Sequence, residues 1–176
     1  MLFSETTLPG VWIVAPEPKE DFRGFFARTW CEREFAAAGI HERWVQSSIS
    51  FTKKKGTVRG MHYRRPPHAE AKLVRCTMGR IHDVVLDLRQ AAPTFKRHVA
   101  IELSATHRVM VYVPPGLAHG FQTLEDDTEV LYQMSEFYFP GPEAGVRWND
   151  PAFGIPWPEA DPILAERDRS YPDFDG

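Results

Sequence analysis

Apolar residues along this chain fall in short runs, roughly four to nine positions long, many alternating with polar ones and separated by proline or glycine. Alternation at period two puts every second side chain on one face of an extended segment, so the runs read as strands. The pattern predicts strands over Val11–Val14, Gly24–Trp30, Trp44–Phe51, Thr57–His62, Ala71–Met78, Arg80–Leu88, His98–Leu103, Val109–Val113, Gly120–Leu124 and Thr128–Phe139. Their number and even spacing predict an all-β domain, a sandwich or barrel. One segment departs from this texture. Thr29 precedes Glu32 at capping-box spacing, Glu32 to Ala38 is rich in helix formers and Gly39 suits a C-terminal cap, so one short helix is expected there. From Pro140 onward the chain is dense in Pro, Gly, Asp and Trp, which predicts an ordered loop packed over the body rather than a further strand.

The 15 prolines and 12 glycines are spread along all 176 residues rather than gathered into a linker, and no internal repeat is visible, so 1–176 reads as one domain. A chain of this length buries roughly 70% of the surface that it exposes when unfolded. With 21 Lys+Arg against 24 Asp+Glu the formal net charge is -3, which excludes general nucleic-acid binding through counterion release. Two cysteines, Cys31 and Cys76, lie in no Cys-x-x-Cys or Cys/His ligand spacing, and this excludes a disulfide framework or a zinc ribbon. The first residues carry no basic segment followed by an apolar run, and no window reaches the ~20 apolar residues that span a bilayer, so a cytoplasmic protein is expected. Lys53-Lys54-Lys55 before Gly56 is the only run of like charge and reads as a solvated hairpin turn.

Seven histidines are scattered along the chain, and the informative ones are those with chemical company. His62 ends Gly56-Thr57-Val58-Arg59-Gly60-Met61-His62. In a regular strand Arg59 and His62 face opposite sides; sharing one site requires a bulge, which Gly60 permits. Lys72 opens the next apolar run, where a lysine either pairs with a carboxylate or serves a ligand. On the last long strand the even positions Val130, Tyr132, Met134 and Tyr138 share one face, so the two phenols either line a cavity or sit tethered in the core.

His119 lies in Pro114-Pro115-Gly116-Leu117-Ala118-His119-Gly120-Phe121, and Pro-x-Gly-x-x-His resembles half of the motif pair of the cupins, small β-barrels that often hold a metal between histidines. The other half, normally His-x-His, would here be His62-Tyr63-Arg64. An arginine cation in place of the second ligand repels a metal, so a cupin-like jelly-roll barrel without metal is expected.

With these residues in view the chain resembles the dTDP-4-dehydrorhamnose 3,5-epimerase family over nearly its whole length. The resemblance is carried by Asp21-Phe22-Arg23-Gly24-Phe25-Phe26, Arg59-Gly60-Met61-His62-Tyr63, Ala71-Lys72-Leu73-Val74, Asp83-Val84-Val85-Leu86-Asp87-Leu88-Arg89, Ala92-Pro93-Thr94-Phe95, Val113 through Phe121, Trp148-Asn149-Asp150-Pro151 and Glu166-Arg167-Asp168-Arg169-Ser170-Tyr171-Pro172. It implies a homodimeric jelly-roll enzyme that epimerises a 4-keto-6-deoxyhexose carried on a nucleoside diphosphate, with no cofactor. It also implies that His62 is the base, Asp168 its dyad partner, Tyr132 the acid for the opposite face and Lys72 the oxyanion stabiliser. Arg23 and Arg59 would bind the diphosphate and Tyr138 would stack on the base. Arg28, Gln46, Ser47, Ser48, His119, Glu143 and Arg167 stand where the family contacts substrate.

The chemistry agrees with these roles. A C4 ketone acidifies the protons on C3 and C5, so inversion needs a base on one face, a donor on the other, and a cation or donor for the enolate oxygen. The chain departs from the family where an acidic residue is usual at Arg28, Asp-Asn at Ser47-Ser48 and Gln at Arg64. These are recognition positions, and relatives that invert only C3 or only C5 share the same four catalytic residues. Two other readings of the barrel stay open: a metal-dependent cupin such as an oxygenase, and a non-catalytic sugar-binding protein. A dimer is further expected from the apolar N-terminal strand, whose edge groups need a partner.

Overall fold

A computed structural model describes residues 1–140 and 144–175 of the chain. In chain order the elements are β1 (Leu2–Glu5), β2 (Trp12–Ala15), β3 (Lys19–Asp21), β4 (Gly24–Phe26), α1 (Glu32–Ala37), β5 (Gln46–Thr52), β6 (Val58–Tyr63), β7 (Lys72–Met78), β8 (Arg80–Asp87), β9 (His98–Ser104), β10 (Met110–Val113), β11 (Leu117–Thr123), β12 (Thr128–Met134), β13 (Ala144–Gly145) and α2 (Glu166–Arg169). The strands build a six-stranded sheet, β1-β2-β10-β7-β12-β5, and a five-stranded sheet, β13-β6-β11-β8-β9, with β3 and β4 as a separate two-stranded hairpin. Every pairing within these sheets is antiparallel. The two large sheets pack face to face, a sandwich as the pattern predicts and the jelly-roll arrangement that the resemblance implies.

Period two decides what meets in the middle. From the six-stranded sheet Val74, Cys76, Val111, Val113 and Val130 point inward, against Ile81, Val85, Leu103, Leu117 and Phe121 from the other sheet. The outer faces are covered as well. Val14, Leu73, Met110 and Tyr112 pack under Phe35 of α1 and Ile40, while Met61, Val84, Leu86 and Ala118 pack under Val146 and Phe153 of the C-terminal segment. A strand buried on both sides loses its polar alternation, and for this reason Val84-Val85-Leu86 reads as an unbroken apolar run. Each such buried side chain contributes about 1.5–3 kcal/mol relative to exposure.

Several expectations need correction. The strand predicted over Gly24–Trp30 is only the three residues of β4, because the small hairpin offers no neighbour for Ala27 to Trp30. β12 stops at Met134, whose partners Gln46 and Lys72 begin both neighbouring strands, so Tyr138 lies beyond the ladder. Cys31, not Thr29, is the N-cap of α1, and it makes no side-chain capping bond. A second short helix, α2, joins the one expected at Glu32–Ala38 among the described residues, in keeping with a β fold that carries one or a few short helices, and β1 takes the sheet edge that was expected at β2.

The C-terminal segment also pairs with the sheet. β13 adds to β6, and Ile163 bridges Thr57 in parallel. The lysine run links β5 to β6 across two sheets and so is no hairpin; Lys54 and Lys55 pair there with Asp126 and Glu159 at 3.0 and 2.8 Å. Among the described residues no helix is long and apolar enough to cross a membrane.

Candidate active site

The inner face does not close at one end of the sandwich, where a cavity of about 490 Å3 opens between the sheets. Such a volume suits a small-molecule site. Its residues follow from register. On β7 the inward series Cys76, Val74 ends at Lys72, and on β12 the series Val130, Tyr132, Met134 runs beside it, with Tyr132 opposite Val74 and Met134 opposite Lys72. An ammonium and a phenol therefore reach the cavity from the six-stranded sheet. From the opposing sheet come His119 on β11 and His62 on β6, which are register partners.

The bulge expected at Gly60 is present. Arg59 pairs with Phe121 while His62 pairs with His119, so three steps on β6 run against two on β11. Arg59 and His62 consequently both line the cavity. Gly60 is needed for a second reason: a Cβ there would lie 2.5 Å from the Cα of Gly120.

His62 has its partner. Its Nε2 is 2.7 Å from Oδ1 of Asp168, delivered by α2, and the two side chains are 16% and 3% exposed. Asp168 Oδ2 accepts the Gly60 N–H at 3.3 Å and Oδ1 accepts Arg167 Nε–H at 3.2 Å. Burial pushes the Asp168 carboxyl up, but the hydrogen bonds from His62, Arg167 and Gly60 outweigh this and hold it below the usual carboxylate range. Arg167 Nη2 also lies 3.0 Å from His62 Nε2. The carboxylate needs a proton on that nitrogen and the guanidinium needs a lone pair, so two charged neighbours compete for the tautomer.

His119 has a carboxylate too, Asp83 Oδ2 at 2.8 Å, and its ring meets Tyr132 edge-on with centroids 6.1 Å apart. Lys72 Nζ is 3.4 Å from Glu70 Oε1, and Arg64 Nε is 3.8 Å from the same oxygen. Arg59 is held at the cavity wall by Thr52 Oγ1 at 3.0 Å and the Phe51 carbonyl at 3.2 Å. Gln46 and Ser48 line the cavity, and the Gln46 amide oxygen accepts the Tyr138 N–H. Tyr138 reaches the mouth from the loop after β12, with the Arg64 guanidinium carbon 5.6 Å from its ring centroid.

Three expected positions are not brought to this cavity. Ser47 alternates away from it, its hydroxyl donating to the Tyr132 carbonyl at 3.1 Å. Arg23 sits on the β3–β4 hairpin outside both sheets, 76% exposed and 2.6 Å from Asp21. Arg28 pairs with Glu34 at 2.7 Å in a separate recess beside Glu17 and Lys19. Glu143 lies outside the described residues.

Sequence reading missed Glu70 and Asp83 as partners of Lys72 and His119. Asp83 carries a signal, an acid beside Val84 and Val85 inside an apolar run, because an acid buried in a strand needs a partner. Glu70 lies in a connection and carries none. Among the described residues no group of three or more His, Cys, Asp and Glu side chains is placed to hold a metal ion.

A double-sheeted barrel whose cavity gathers an imidazole–carboxylate pair, an ammonium and a phenol defines a class: enzymes equipped for proton transfer on a bound ligand. Comparison with known proteins narrows the class. The family model described as dTDP-4-dehydrorhamnose 3,5-epimerase matches residues 5–176. The chain is 38% identical over 165 residues to dTDP-4-dehydrorhamnose 3,5-epimerase of Shigella flexneri, covering 93% of this chain and 91% of that one. The crystal structure of the Bacillus anthracis enzyme of that name, with TDP and PPi bound, superposes with a TM-score of 0.95 at 37% identity, covering 98% and 99% of the two chains. ChmJ of Streptomyces bikiniensis, a 3'-monoepimerase in complex with dTDP-quinovose, superposes with a TM-score of 0.88 at 32% identity, covering 96% and 85%. The chain belongs to the dTDP-4-dehydrorhamnose 3,5-epimerase family, and it is an epimerase.

Proposed function

We propose that the cavity binds a nucleoside-diphosphate 4-keto-6-deoxyhexose and inverts C3 and C5 through an enolate, using only side chains of the chain itself. The observation that carries this reading is the placement of base and acid on opposite walls: His62 on the five-stranded sheet, Tyr132 on the six-stranded one. A sugar ring between them presents one face to each.

With Asp168 accepting the Nε2 proton, the His62 lone pair stands on Nδ1 and takes the proton from C3 or C5. The C–H electron pair forms the enolate double bond and charge moves to O4, where the Lys72 ammonium stabilises it. Tyr132 then donates its phenolic proton to the same carbon from the other face, and the enolate collapses to the ketone with that centre inverted. The tyrosine regains a proton from water and the imidazolium loses one to it. Tyr138 offers its face to the nucleobase, and Arg59 and Arg167 supply cations for the diphosphate. Relatives with TDP or a dTDP-sugar bound support the choice of ligand.

A homodimer belongs to the same proposal. The hairpin leaves Phe22 98% and Phe26 76% exposed, an apolar patch that a second copy would bury, bringing Arg23 with it toward a cavity. Both cysteines are free, which suits the cytoplasm.

Incubation with dTDP-4-keto-6-deoxyglucose in deuterated buffer tests the reaction by NMR. Deuterium entering at both C3 and C5, with a rhamno-configured ketone accumulating, is expected. Exchange at C3 alone would make the enzyme a monoepimerase, the second reading, which the likeness to a 3'-monoepimerase supports. No exchange with any nucleotide sugar would overturn both.

A further inference from the structure

Glu70 has no part in the proton-transfer scheme, yet its carboxylate stands in the cavity with its side chain only 10% exposed. One of its oxygens, Oε1, lies between two cations, Lys72 Nζ at 3.4 Å and Arg64 Nε at 3.8 Å. These three side chains are comparably buried, at 9% for Arg64 and 14% for Lys72. An anion this close to Lys72 competes with the substrate. A carboxylate that holds the ammonium weakens the field offered to a developing enolate, and poor hydration strengthens that competition.

Arg64 changes the balance, since the guanidinium shares the carboxylate and leaves the trio with one net positive charge. Contacts independent of Glu70 hold Arg64 there: its Nη1 donates to the Phe139 carbonyl at 3.3 Å, and its guanidinium lies over Tyr138. A second glutamate that lines the cavity, Glu136, turns an oxygen to the Phe137 N–H at 2.7 Å. The side chain that sets this balance is that of Arg64. A neutral amide there would leave Lys72 as the one cation within ion-pair distance of Glu70 among the described residues.

We propose that Arg64 is a positioning residue which, by occupying Glu70, leaves the Lys72 ammonium available to the substrate's C4 oxygen. The inference rests on the role given to Lys72 above. The test compares kcat and KM for proton exchange on dTDP-4-keto-6-deoxyglucose in the full chain, Arg64→Gln, Arg64→Gln/Glu70→Gln and Lys72→Ala. Arg64→Gln is expected to lose about tenfold in kcat, more than any change in KM, and the added Glu70→Gln to restore kcat to within about threefold of the parent.

An unchanged kcat in Arg64→Gln would overturn the proposal. So would a loss confined to KM, or one that Glu70→Gln leaves unrelieved, because Arg64 would then act only through Tyr138 or on the ligand. Lys72→Ala separates the two failures: if it exchanges normally, the oxyanion role itself falls, whereas a dead Lys72→Ala beside an unaffected Arg64→Gln sinks only the present inference. Thermal melts show which variants fold, and Arg64→Met, with and without Glu70→Gln, repeats the comparison with an apolar side chain of similar reach.

Discussion

Two imidazole–carboxylate pairs lie side by side in this barrel, their histidines in register on neighbouring strands and with nearly equal spacing, yet their surroundings differ. His62 and Asp168 meet at 2.7 Å, His119 and Asp83 at 2.8 Å. The first carboxylate comes from the C-terminal helix and accepts from an imidazole, a guanidinium and a backbone N–H, while its histidine reaches the cavity at 16% exposure. The second comes from the middle of β8, both side chains are at most 4% exposed, and Asp83 Oδ1 has no hydrogen-bond partner among the described residues. A base must change protonation at every turnover, so it needs a route for the proton and a carboxylate whose charge is sustained on every side. A fixed ring needs only one partner and close packing. On the proposed roles, residue types and spacing do not tell the two pairs apart; the other bonds of the carboxylates do.

The sharpest way to break this contrast is to delete each ring. His62→Ala is expected to lose about 10²–10⁴ in the rate of exchange at the sugar carbons, measured by NMR, with its melting transition retained. An equal loss in His119→Ala would end the distinction between the pairs.

Next in size is the hinge between them. Gly60→Ala places a methyl 2.5 Å from Gly120 Cα, so backbone must move; a loss of about 1–3 kcal/mol in urea unfolding is expected, together with reduced exchange as His62 shifts. Asp83→Ala leaves a buried imidazole nitrogen unpaired, and about 1–3 kcal/mol of stability should go while exchange falls far less than in Asp168→Asn.

The smallest effect concerns pH. Asp168 has a native pKa below its unfolded one, so it stabilises the fold fully above about pH 5, and that contribution is lost as pH falls through the lowered native value. Urea midpoints followed downward from pH 5 should drop more steeply in the parent than in Asp168→Asn, and parallel curves would show that this carboxylate does not contribute.

Much of the architecture was legible because alternation is local. The inward series on β7 and β12, the apolar run of β8 and the bulge at Gly60 each follow from a handful of consecutive residues. What the pattern did not show is how distant segments dock. His62 and Asp168 are 106 positions apart, and only the family resemblance joined them. The pairing of Glu70 with Lys72 depends on a connection whose path no periodicity describes, and Tyr138 reaches the cavity from beyond the strand on which it was placed. Arg23 failed to arrive for the same reason: its position in a motif says nothing of where a small hairpin lies against one chain, and Arg28, just past that hairpin, pairs with Glu34 instead.

The attachment of the C-terminal segment has a further consequence. Gln122, buried on β11, exchanges two hydrogen bonds with the Glu159 backbone, and Ile163 exchanges two with the backbone of Gly56 and Val58 before the chain turns into α2. On a ribosome, all strands of both large sheets are synthesised before Asp168, so sheets that pair before the last segment docks enclose a cavity that still lacks the Asp168 carboxylate. On the proposed mechanism such a chain would be folded and inert, and its competence would date from the docking of one short C-terminal segment.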